Sequence, residues 1–132
     1  MKRSLIAAAA IFILWTILHF ILHNQILMST YEATPSLWRP MEEMMDKMWI
    51  MHLTVLVSAL VFVYIYSRFF AEKQMSSAVK YGIVYGISVG MGMGYGTYTV
   101  MPIPYILAAG WFWGAVVQTT LAGVLLGIIV KD

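Results

Sequence analysis

The sequence predicts an all-α membrane protein, one bundle of four transmembrane helices with both termini in the cytoplasm. Three observations lead there. Of 132 residues, 61% are apolar and 11% charged, about half the charged fraction of an ordinary soluble domain, and mean hydropathy is +0.81. The apolar residues form long uninterrupted runs, without the helical or strand periodicity that leaves a polar face for water. The eight basic and six acidic side chains stand at the ends of these runs and in the connections between them. Lipid is the expected solvent, because so short a chain has no core large enough to hide this much apolar surface.

Crossing roughly 30 Å of hydrocarbon takes about 20 mostly apolar residues. Ser4 to Met28, Met48 to Ser67, Tyr81 to Met101 and Tyr105 to Val130 each supply that length with no Asp, Glu, Lys or Arg, as the cost of an intramembrane charge requires. With their flanks the four helices are expected over about 4–28, 41–68, 80–101 and 104–130, in a single domain covering 1–132. The start, Lys2-Arg3 followed by Ala7 to Ala10, is composed like a secretory signal, but its apolar run is too long for one. It reads as a signal anchor that serves as the first span.

Orientation follows from the basic residues. Lys2, Arg3, Arg68, Lys73, Lys80 and Lys131 fall on one side against Glu72 and Asp132, which makes that side the cytoplasm of a bacterial inner membrane. The opposite side is net acidic. Its long connection carries Thr34-Pro35-Ser36-Leu37-Trp38-Arg39-Pro40, turn chemistry leading into a helix start. Glu42, Glu43 and Asp46 complement the dipole of a helix beginning near Pro40 and running about 28 residues, roughly 42 Å. Tyr31, Trp38 and Trp49 suit the outer interface. Residues 69–79 read as a solvated cytoplasmic loop. Met101-Pro102-Ile103-Pro104 can only reverse the chain, so the third and fourth helices are antiparallel neighbours.

Four glycines at intervals of four, Gly82, Gly86, Gly90 and Gly94, line one face of the third helix, with Gly92 and Gly96 beside them. The fourth helix answers with Gly110, Gly114, Ala115, Thr119, Gly123 and Gly127. Faces without side chains let two backbones approach, so these residues are expected to pack the third helix on the fourth. The alternative is a groove for a lipid tail, a quinone or a partner's helix.

His19 and His23 share a face of the first helix, and counting rise places His52 at a similar depth on the second. Imidazole is a common metal ligand and holds haem axially, so a site for haem b or a metal built on His19, His23 and His52 is allowed. The plainer reading is hydrogen bonding to neighbouring helices. Met41, Met44, Met45, Met48 and Met51 form a stripe leading to His52; thioether and imidazole together suit Cu(I), while such a stripe more commonly packs adaptably on a partner. Gln118, Thr119 and Thr120 near mid-membrane read as interhelical hydrogen bonders.

Several classes are excluded or disfavoured. Without cysteine there is no disulfide framework, thiolate metal site or covalent haem attachment. No phosphate loop, nucleophile elbow, zinc-protease motif or basic stripe for nucleic acid occurs, and no acidic residue lies within a span to couple transport to protons.

The stretch Tyr31-Glu32-Ala33-Thr34-Pro35-Ser36-Leu37-Trp38-Arg39-Pro40, with Glu43-Met44, Met48-Trp49, His23 eight residues ahead of Tyr31 and the Pro102-Ile103-Pro104 turn, resembles a group of small uncharacterised bacterial four-helix inner-membrane proteins. The likeness covers nearly the whole chain and implies the fold without an activity. This chain carries His19 where similar proteins often have an acidic residue.

The function expected from these features is non-catalytic: an accessory or structural subunit of a larger bacterial membrane complex, respiratory or photosynthetic, with no cofactor of its own. Its partners are other integral membrane proteins and lipids, with a homo-oligomer possible, and the contacts run through the glycine faces and through Trp38 and Arg39. A haem- or metal-binding electron-transfer protein and a small homodimeric transporter are the alternatives.

Overall fold

The computed structural model describes all residues 1–132 and is helical throughout, with no strand. Helix α1 (Lys2–Ile21) runs on through a wide π turn, Leu22–Ile26, into the short α2 (Met28–Glu32). A 3-10 turn, Pro35–Leu37, leads to α3 (Met41–Asp46) and α4 (Met48–Phe69). Helix α5 (Met75–Gly90) continues through a second π turn, Met91–Gly96, into α6 (Thr97–Val100), and α7 (Tyr105–Ile129) closes the chain.

Three helical stretches are long and apolar enough to cross a membrane: Lys2–Ile26, Met48–Phe69 and Tyr105–Ile129. The stretch 75–100 matches them in length, but its glycines, tyrosines, serines and threonines dilute its hydropathy.

Several expected boundaries move. Helix one gives way to the wide turn at Leu22, where the Leu27 N–H reaches back five residues to the Leu22 carbonyl oxygen at 2.9 Å. The long second helix is interrupted at Lys47, whose φ of −100° and ψ of 2° leave the helical region and divide α3 from α4. The cytoplasmic loop expected at 69–79 is shorter, because Met75 to Val79 are already helical. Small residues on α7 explain that extension. Ala78 is wholly buried, lying where a Cβ on Gly123 would come within 2.5 Å of its carbonyl oxygen, and Met75 packs over Gly127.

Helices α5 and α7 form the closest pair. A Cβ on Gly90 would stand 2.8 Å from the Phe112 carbonyl oxygen, and one on Gly82, Gly86 or Gly94 would be closer still to Thr119 or Ala108. Helix α7 itself therefore fills the glycine face of α5, which leaves no room there for a lipid tail or quinone. Gly110 and Gly114 correct the expectation that they share this seam. They face the end of α1, where the side chains of Leu27 and Leu22 occupy the space that a Cβ would take. Gly92 meets nothing within 4 Å.

Helix α1 packs on both α4 and α7, and α4 meets α5 through rings. Tyr81 stacks on Phe62 with centroids 4.6 Å apart, and its hydroxyl donates to the Phe62 carbonyl oxygen at 2.9 Å. Trp15 sets its edge against Phe62 and donates its indole N–H to the Gln118 carbonyl oxygen at 2.9 Å. With Ile11, Ala59, Tyr66, Ala122 and Leu126 these residues form the main core. Tyr81→Phe keeps the stack and loses one hydrogen bond. A stability loss of about 1 kcal/mol in detergent thermal unfolding is the expected result.

Both chain ends lie beside the 70–74 connection. Arg3 donates to the Lys131 carbonyl oxygen at 3.0 Å, and the Lys73 backbone N–H donates to Asp132 Oδ2 at 3.0 Å. Arg3, Lys73 and Lys131 are thus gathered at one end of the molecule, while Arg39 and Lys47 stand at Glu43, ahead of α4.

Candidate functional site

At the opposite end, the wide turn after α1 brings a histidine to a tyrosine. His23 Nδ1 lies 2.6 Å from the Tyr31 hydroxyl, which also accepts the indole N–H of Trp111 at 2.8 Å. An indole nitrogen can only donate. The arrangement that satisfies every group is directional: Trp111 donates to Tyr31, Tyr31 donates to His23 Nδ1, and the imidazole proton sits on Nε2. That one hydroxyl ties the wide turn and α2 to α7, 80 residues on.

Rings and turns complete the clasp. Trp38 stands perpendicular to Tyr31 at 5.3 Å and at 6.2 Å from Trp111, and its indole N–H donates to Thr34 Oγ1 at 3.1 Å. Thr34 in turn donates to the Thr30 carbonyl oxygen at 2.9 Å. Beneath them Leu27 is buried with Ile103, Leu107 and Ala108, in the space left by Gly110. Burial pushes the Tyr31 phenol above its ordinary value, with the Trp111 N–H pulling the other way. The phenol therefore keeps the proton it must donate throughout neutral pH. Its contribution to stability is complete below about pH 10, the ordinary tyrosine value, and is lost as pH rises through the elevated one.

His19 lies one turn below His23, with ring centroids 5.9 Å apart, and against the Gln118 side chain. His52 does not join them. It is exposed on α4, and no three His, Asp or Glu side chains come close enough together to hold a metal ion. The three-histidine arrangement allowed by depth alone is not assembled. Thr119 and Thr120 do not bridge helices either. Thr119 is buried and donates to its own helix at Ala115, 2.9 Å away, and the Thr120 hydroxyl is buried without a partner.

Arg39 pairs with Glu43 one turn on, and Lys47 approaches the same carboxylate at 3.8 Å. Both pairs are exposed. Arg39→Ala should therefore change unfolding by less than about 1 kcal/mol, so any larger effect on yield from native membranes would report a contact outside the chain.

Beside the clasp, the start of α4 is uncovered. Every residue from Met45 to Thr54 is exposed, and burial begins only at Val55. That surface carries Met45, Met48, Trp49, Met51 and His52. The methionines of the stripe therefore face outward, with only Met44 partly covered. The exposure goes all the way round the helix, which no sequence signal marks.

The chain matches no profile of a protein family, no curated protein and no solved structure.

Proposed function

We propose that this chain is a four-span bacterial inner-membrane protein, with both termini in the cytoplasm, that serves as a non-catalytic accessory subunit of a larger membrane complex. The uncovered start of α4, Met48 to Thr54, carries the reading. Within this apolar helix, His52 is exposed on a stretch, Met45 to Thr54, in which every residue is exposed. A polar ring facing hydrocarbon is costly. A helix of another membrane protein lying there would supply a hydrogen-bond partner for His52 and a surface for the flexible, polarizable thioethers of Met48 and Met51.

The basic end, with both termini, supports the orientation. The stretch 75–100 crosses as a fourth span despite its diluted hydropathy, because its glycine face is covered by α7 and its Tyr81 by Phe62. The clasp at His23, Tyr31 and Trp111 holds the outer loop as one rigid rim beside the docking helix.

The direct test is gentle solubilisation from the native membrane, followed by a native gel and an absorption spectrum. Migration in a complex much larger than the 14.9 kDa chain with its detergent belt, with any colour belonging to other chains, is the expected result. A free chain carrying its own Soret band, lost in His19→Ala or His23→Ala, would replace this reading with electron transfer.

A further inference from the structure

We propose that the groove between the start of α1 and the end of α4 binds one anionic phospholipid, with its phosphate at Arg68 and an acyl chain along the apolar walls. The proposal rests on the reading of α1 and α4 as membrane spans and is independent of any partner protein. The groove has a volume of about 810 Å³. Its walls are Leu5 and Ala8 from α1 and Leu60, Val61 and Tyr64 from α4. From Met1 to Ala8 and from Leu60 to Arg68 the lining covers about two turns of each helix, roughly 10 to 12 Å at 1.5 Å per residue from the polar mouth to the apolar end, room for a headgroup phosphate and the first part of an acyl chain.

The polar groups all lie at one mouth. Arg68 lines it and takes part in neither of the chain's ion pairs. Ser4 and Ser67 face each other there with hydroxyl oxygens 3.0 Å apart. In such a pair one hydroxyl donates to the other, and the second hydroxyl's proton remains free for a phosphate oxygen.

Charge selects the headgroup. No acidic residue lines the groove, whereas Lys2 and Arg3 occupy the adjoining first turn of α1. Neither acid at this end pairs with Arg68: Glu72 accepts from Gln74, and Asp132 accepts the Lys73 backbone N–H. A zwitterionic choline lipid would bring a cation to this positive mouth; a glycerol phosphate headgroup brings only negative charge. Basic recesses between spans at a cytoplasmic interface recognise anionic lipids in this way.

The test is native mass spectrometry of the full chain in detergent, with phosphatidylglycerol and phosphatidylcholine of identical acyl chains added in equal amounts. Phosphatidylglycerol should be retained about fivefold over phosphatidylcholine, the contribution of one cationic side chain at an anionic surface. Arg68→Gln should abolish that preference, and Val61→Trp, which fills the groove, should reduce retention of both lipids. Arg68 is exposed, so its substitution leaves the fold intact, and unchanged circular dichroism will show that it has. Equal retention of the two lipids, a phosphatidylglycerol preference that survives Arg68→Gln, or retention unchanged by Val61→Trp overturns the proposal. Displacement by free glycerol phosphate also overturns it, since that would mean a headgroup site without a chain. Alkaline carbonate extraction separates this failure from that of the spans: a chain released by carbonate is not membrane-spanning, whereas a retained chain without lipid preference defeats the lipid site alone.

Discussion

Leucine at Gly86 will destabilise the protein by about 3 kcal/mol, the upper end of what overpacking a well-filled interior costs, while leucine at Gly92 will leave it unharmed. The two positions lie in one continuous helical stretch and look alike in sequence, yet their surroundings are opposite. A side chain at Gly86 must displace the backbone of Val116 and Ala115 as well as the Thr119 hydroxyl. Backbone cannot move aside as a flexible side chain can, so α5 and α7 must separate. At Gly92 there is open space, and leucine is the better helix former by roughly 0.8 kcal/mol. Insertion depends on hydropathy and will be unaffected in both variants. Thermal unfolding in detergent should therefore show a large loss for Gly86→Leu and none for Gly92→Leu. Equal melting temperatures would mean that the seam is not closely packed.

Tyr31→Phe is expected to have the second largest effect, a loss of about 1 to 3 kcal/mol. The ring and its packing on Trp38 survive, but two partly buried groups, the Trp111 N–H and His23 Nδ1, lose their partner at once, and orphaned polar groups cost more than a net hydrogen bond contributes. The substitution also tests the directed chain. Once Tyr31 is phenylalanine, Trp111→Phe should cost much less than it does in the parent protein, because both changes break the same link; such coupling is the measure of a shared network. Additive losses would show that Trp111 and Tyr31 act separately. The readout is thermal unfolding of the four proteins in this cycle.

Much of the fold could be read from the chain because its strongest signals are one-dimensional. Apolar run length and the placement of charge mark the helical stretches, Pro102 and Pro104 mark the reversal between α5 and α7, and the interval of four from Gly82 to Gly94 marks a close seam. What failed was angular. Gly110 and Gly114 follow the same interval of four as the seam residues of α7, but each lies two residues from one of them, Ala108 and Phe112. At 3.6 residues per turn that is about 200° around the helix, so they face α1. Spacing gives a stripe without its direction.

The clasp at Tyr31 was hidden for a related reason. No proline or glycine marks the wide turn at Leu22 to Ile26 that carries His23 to Tyr31, and Trp111 joins from a helix 80 residues away. His52 was grouped with the other histidines on depth, the one coordinate that sequence supplies, while it lies on the part of α4 ahead of Val55 that is exposed on every side. The groove between α1 and α4 left no periodic trace either, since its walls come from two ends of unrelated runs.

The central claim, that the uncovered start of α4 docks another membrane protein, is tested most directly by photo-crosslinking in the native membrane. A crosslinking residue at His52, with a second at Met48, is compared with one at Val100, which is 80% exposed in α6 near the chain reversal. We expect one dominant adduct at both α4 positions, joining this chain to a single multi-span membrane protein, and no such adduct at Val100. Adducts to lipid alone, adducts joining only two copies of this chain, or the same pattern at Val100 would contradict it.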